Sequence, residues 1–105
     1  MEKPNLDYIK KLSGGDITFE NQLIGVIKKE FPSELKTFLL NMTQERYPKA
    51  AENVHKLKHK FSILGLEKGY ELADVFENNL KEGNPEKMPA FKRVLDQITA
   101  YLKTI

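Results

Sequence analysis

Apolar residues recur every three or four positions along almost the whole chain, and no stretch shows the sustained alternation that a half-buried strand requires. The pattern predicts an all-α bundle. A short first helix is expected over about Leu6 to Leu12, ended by Ser13-Gly14-Gly15, where paired glycines can take left-handed conformations. Asp16 then stands as the N-cap of the next segment. From Phe19 the stripe runs through Leu23, Ile27, Phe31, Leu35, Phe38 and Met42, keeping helical phase across Pro32. One long helix bent near Phe31-Pro32 is the expectation. The alternative is a break there, with proline in the favourable first turn of a new helix.

Arg46-Tyr47-Pro48 opens a third segment, where Ala50, Val54, Leu57, Phe61 and Leu64 form a narrow inward stripe before Gly65 supplies the stop. Leu66, Tyr70, Ala73, Phe76 and Leu80 mark a further helix, terminated by Gly83. Asn84-Pro85-Glu86 reads as cap, first-turn proline and dipole-matching acid for a last helix whose seam is Met88, Phe91, Leu95, Ile98 and Leu102. Short connections favour antiparallel neighbours, so the predicted architecture is an antiparallel four-helix bundle with a short additional N-terminal helix. No repeat, low-complexity run or linker divides residues 1–105, which are taken as a single domain.

Composition narrows the function classes. A chain of 105 residues can bury one core but has no room for a catalytic domain with a separate nucleotide fold. With 17 basic against 15 acidic side chains the net charge is +2, so no global field calls for a nucleic acid or an acidic membrane. There is no cysteine, which excludes disulfides and thiolate zinc sites. Met1-Glu2-Lys3-Pro4 leads into no apolar signal segment, and no apolar run approaches the roughly 18 residues of a membrane span. A cytoplasmic, monomeric protein is expected. The start at Met1 and the compact end are read as those of a free-standing protein.

Candidate chemistry lies on the third helical segment. Its stripe centres near Val54 and Phe61, which turns His55 about 120° away from the core and toward solvent. Ala51, Lys58, His59 and Ser62 share that flank. An imidazole near neutral pH offers an unprotonated nitrogen that can attack phosphorus. Lys58, three residues on, is placed to balance the charge of the product, with Lys56 and Lys60 raising the surrounding potential. On the next helix Glu77 is a charged intruder at the edge of an apolar stripe. It is expected to accept a hydrogen bond from the other ring nitrogen of His55, or else to reach the rim or pair with a lysine such as Lys58.

Taken together, Leu12-Ser13-Gly14-Gly15-Asp16, Phe31-Pro32-Ser33-Glu34-Leu35, His55-Lys56-Leu57-Lys58 and Leu64-Gly65-Leu66 resemble the histidine-containing phosphotransfer (HPt) domains of bacterial multistep phosphorelays. The likeness runs from Leu6 to the C-terminus. It implies that His55 accepts a phosphoryl group from the aspartate of one receiver domain and passes it to another, with Lys58 stabilising the phosphoryl group and Glu77 orienting the ring. It implies no cofactor of the chain's own, because Mg²⁺ belongs to the receiver. The implied partners are response-regulator receivers and hybrid sensor histidine kinases, docking over Ala51, Lys56, His59 and Ser62. The chain is then a carrier and not an enzyme.

Two positions depart from the family pattern. His59 stands where a glycine is usual, and its side chain either obstructs docking or turns to contact the phosphoryl group or the partner. Gly69 replaces a residue that is usually apolar and is expected to loosen the start of its helix. Three other functions compete. A degenerate bundle would dock receivers without accepting phosphate. A metal site would use His55, His59 and Glu52 at helical spacing, although the lysines oppose a cation. Nucleic-acid binding would use Lys56, Lys58 and Lys60, but these point to different faces and no aromatic interleaves with them to stack bases.

Overall fold

Helix stops and caps divide the chain close to where the sequence places them. A computed structural model describes residues 2–105, and Met1 lies outside the described residues. Five helices follow in order: α1 Asp7–Ser13, α2 Ile17–Thr43, α3 Tyr47–Ile63, α4 Glu67–Lys81 and α5 Met88–Leu102. Gly14 and Gly15, at φ of 60° and 91°, take the chain out of α1 through backbone conformations that a side chain would oppose. Asp16 caps α2, its Oδ1 accepting from the Phe19 N–H at 3.1 Å. α2 then runs without interruption through Pro32, so the alternative of a second helix beginning there falls. Pro32 is exposed, where water can bond to the carbonyl that proline leaves unpaired one turn earlier.

The bundle of α2 to α5 closes around phenylalanines, with α1 packed against α2. Phe38, Phe61 and Phe76 all contact Phe91, with ring centroids 5.3, 5.4 and 5.1 Å away. Such edge-on and tilted contacts add to the area these rings bury. Ile27 and Phe31 extend the core along α2, as Val54 and Leu57 do along α3 and Leu95 and Ile98 along α5. Phe19 departs from the expected stripe: it is 38% exposed, because the first turns of α2 face only the short α1. α5 also begins later than its capping signal suggests. Asn84 accepts from the Glu86 N–H at 3.0 Å in a turn, and the helix starts at Met88 with Pro89 in its first turn.

The turn between α3 and α4 is held by the N-terminal segment. Gly65 has φ 78°, and a Cβ there would sit 2.6 Å from Nδ2 of Asn5. The Asn5 N–H in turn donates to the Leu64 carbonyl at 2.9 Å. Glu2 caps α4 from outside it, accepting from the N–H groups of Lys68 at 3.0 Å and Gly69 at 2.7 Å. Gly69 therefore does not loosen the helix start. It is buried, and a Cβ there would lie 3.3 Å from both Leu66 and Val94, so glycine permits α4 to approach α5 closely. The effect of this clamp is to fix α4 against α3, the pair that packs most extensively in the bundle.

Candidate functional site

Every group of the site comes from α3 and α4, and the residue at its centre is Glu77. The same phase that puts Ala73, Phe76 and Leu80 in the core brings Glu77 to the edge of the α3 interface, where its side chain is only 9% exposed. Both of its oxygens lie 3.2 Å from Nδ1 of His55. Lys58 Nζ sits 3.0 Å from Oε1, and Lys81 Nζ 3.4 Å from Oε2. Burial alone would push the Glu77 carboxyl up, but hydrogen bonds and charge from Lys58 and His55 outweigh it and hold the group below the ordinary carboxylate range. An ionised carboxylate only accepts. The proton shared with His55 therefore belongs to Nδ1, which in the neutral ring leaves the lone pair on Nε2.

The His55 side chain is 54% exposed, so the ring is at once oriented from below and open to a partner. It borders a concavity of about 400 Å³ lined by Ala51, Glu52, Lys56, Glu77 and Lys81. The His59 ring stands beside it, with centroids 5.0 Å apart and planes at 89°. Lys56, His59 and Ser62 are exposed. Ala51 is not: it is 1% exposed, and what it contributes to the concavity is lack of bulk.

Lys58 requires a correction. The sequence reading groups it with the solvent-facing flank of His55, but its own phase, four residues after Val54, puts it at the edge of the core stripe, and its side chain is 9% exposed and lies along the α3–α4 interface. Its ammonium bonds Asp74 at 3.0 Å as well as Glu77, and lies 5.6 Å from the Tyr70 ring centroid. The hydrogen bonds to Asp74 and Glu77 raise its pKa against the opposing effect of burial. Lys60 is likewise withdrawn from the surface, paired with Glu34 at 3.0 Å and Glu30 at 3.2 Å across the α2 interface. Long stems let both lysines carry their charge to carboxylates on neighbouring helices, and which carboxylates these are depends on the register between helices, which phase alone does not give. Asp74 and Lys81 escaped the sequence reading altogether. Lys81 could have been found from its i+4 spacing to Glu77, whereas Asp74 needed the register between helices. Among the described residues no three His, Cys, Asp or Glu side chains cluster as a metal site.

The family model for the Hpt domain matches residues 22–102, most of the chain. The protein belongs to the Hpt domain family. Hpt domains are phosphocarrier modules of phosphorelays that work with receiver domains and kinases, not a family of catalytic enzymes. No curated protein and no solved structure gave a match. Among the described residues of this Hpt domain, no helix is long and apolar enough to cross a membrane.

The buried pair of this Hpt domain sets a pH dependence. Glu77 has a lowered pKa in the folded state, so its contribution is present above the unfolded value of about 4.3 and is lost as pH falls through the folded value. Lys58 has a raised one, so its contribution is present below about 10.4 and is lost as pH rises through the folded value. The stability gap between the wild-type protein and Glu77→Gln is therefore expected to be constant near neutrality and to close on acidification below about pH 4. Urea unfolding across that range checks it. A gap that widens in acid contradicts the pairing.

Proposed function

We propose that this Hpt domain carries a phosphoryl group on Nε2 of His55 and exchanges it with aspartates of receiver domains, a cytoplasmic relay step. The observation that supports this most is the exposed ring held through Nδ1 by a buried, ionised Glu77. That bond selects the tautomer whose free lone pair faces outward. In the forward step the Nε2 lone pair forms the N–P bond as the bond from phosphorus to the aspartyl oxygen breaks, and the carboxylate leaves with the electron pair. The Nδ1 proton stays in place. The positive charge that develops on the ring is balanced by Glu77, so no proton has to move during transfer. Onward transfer reverses these bonds on a second receiver. Any Mg²⁺ comes with the receiver, whose acidic pocket meets Lys56 and Lys81 at the rim.

In this reading Lys58 acts through Glu77. It neutralises the carboxylate's surplus charge and fixes its position under the ring, while Asp74 holds Lys58 from the solvent side. Direct contact between Lys58 and the phosphoryl group would have to come from the third N–H of an ammonium already held by two bonds of 3.0 Å in a side chain that is 9% exposed. The protein is modified and reset by its partners, which makes it a stoichiometric carrier. Incubation with a phosphorylated receiver, followed by peptide mapping under alkaline conditions, is expected to show an acid-labile phosphate on His55. Receiver binding without any such adduct would point to the degenerate, docking-only bundle instead.

A further inference from the structure

We propose that His59 is a second phosphoryl contact: when His55 is modified at Nε2, a ring N–H of His59 donates a hydrogen bond to a phosphoryl oxygen and holds the adduct. This rests on the function proposed above and concerns a residue which that function does not itself require. The His55 ring is tethered at Nδ1, 3.2 Å from Glu77, so the new N–P bond forms on the side of the ring away from that carboxylate. The cations of the interface are already engaged with carboxylates, Lys58 with Asp74 and Glu77, and Lys81 with Glu77. Lys56 lines the same concavity as His55 at its rim, and His59 is the donor whose ring lies directly against the His55 ring. It lies one helical turn on, is exposed, and meets the His55 ring at 5.0 Å with planes at 89°.

Among the described residues no carboxylate lies within ion-pair distance of His59, so its N–H is not taken by a stronger acceptor. A neutral imidazole keeps one N–H in either tautomer, and rotation about its side-chain bonds carries that N–H toward Nε2 without moving the backbone. The phosphoryl oxygens are charged acceptors, and hydrogen bonds to such acceptors are the stronger kind. The contact exists only after modification, so it stabilises the adduct relative to the free ring. Rupture of the N–P bond passes through a loose, metaphosphate-like state in which the donor is worth less, so the adduct also lasts longer.

The test uses phosphoramidate as donor, the N–P bond to His55 forming as the N–P bond to ammonia breaks. Wild-type protein, His59→Gln, His59→Phe and His59→Gly are labelled, the site is mapped by fragmentation, and the half-life of the adduct is followed by ³¹P NMR at one pH. Glutamine keeps a donor, phenylalanine keeps the bulk without one, and glycine removes both. A half-life roughly tenfold shorter in His59→Phe and His59→Gly is expected, with His59→Gln close to wild type. Adducts on His55 whose half-lives ignore residue 59 overturn the contact while leaving the phosphotransfer function standing, and so does a His59→Phe variant that behaves like wild type. An adduct on His59 itself overturns it as well. Failure of the wild-type protein to form any adduct at His55 removes both.

Discussion

His55→Gln is expected to abolish acid-labile phosphorylation from any donor, a loss of at least roughly a hundredfold, while circular dichroism and unfolding midpoint stay near wild type. The choice of glutamine matters. Its amide N–H₂ can still donate to Glu77, which accepts the His55 proton at 3.2 Å, so the buried carboxylate keeps an approximation of its bond. What disappears is the nucleophile, because an amide nitrogen has its lone pair delocalised into the carbonyl. The side chain is 54% exposed, so little packing is lost with the ring. Peptide mapping after incubation with a phosphorylated receiver provides the measurement. Label that persists in the variant, on His59 or elsewhere, would show that the exposed ring beside Glu77 is not the acceptor.

Glu77→Ala is the second large effect, and it acts on stability and chemistry together. The substitution leaves the buried Lys58 ammonium with Asp74 alone, whose side chain is 54% exposed, and removes the acceptor of His55 and the partner of Lys81. Breaking a buried pair by deleting one member costs about 3 kcal/mol or more. Because Asp74 still holds Lys58, a loss of about 2–3 kcal/mol is expected in urea unfolding. Phosphorylation by phosphoramidate is expected to slow roughly ten- to a hundredfold, since the ring loses both its fixed tautomer and its fixed direction. A variant within about 0.5 kcal/mol of wild type, the range of an ordinary surface change, would mean that the carboxylate is solvated and not the organising group.

The helices were legible because nearly every core position falls on a 3.6-residue stripe, and because Gly14, Gly65 and Gly83 mark stops that a positive φ then requires. Glu77 could be singled out for the same reason, as a charge in a place where the stripe predicts burial. What phase cannot give is the reach of a long side chain or the register of one helix against the next. The sequence reading groups Lys58 with the flank of His55 and Lys60 with the charge of the surrounding surface, yet both charges end in carboxylates on neighbouring helices. The cap that Glu2 provides for α4 spans 66 and 67 positions of sequence and leaves no local signal. Asn84-Pro85 carries capping chemistry that serves a turn, and α5 waits for Pro89.

His55, Lys58, Asp74, Glu77 and Lys81 all reside on α3 and α4, which are joined by only three residues. The proposed acceptor apparatus is thus contained in a single αα-hairpin, while α1, α2 and α5 supply the walls that keep it upright. Natural drift can rewrite those walls without touching the ring or the groups that aim it. The hairpin can in this way stay constant while the rest of the bundle changes.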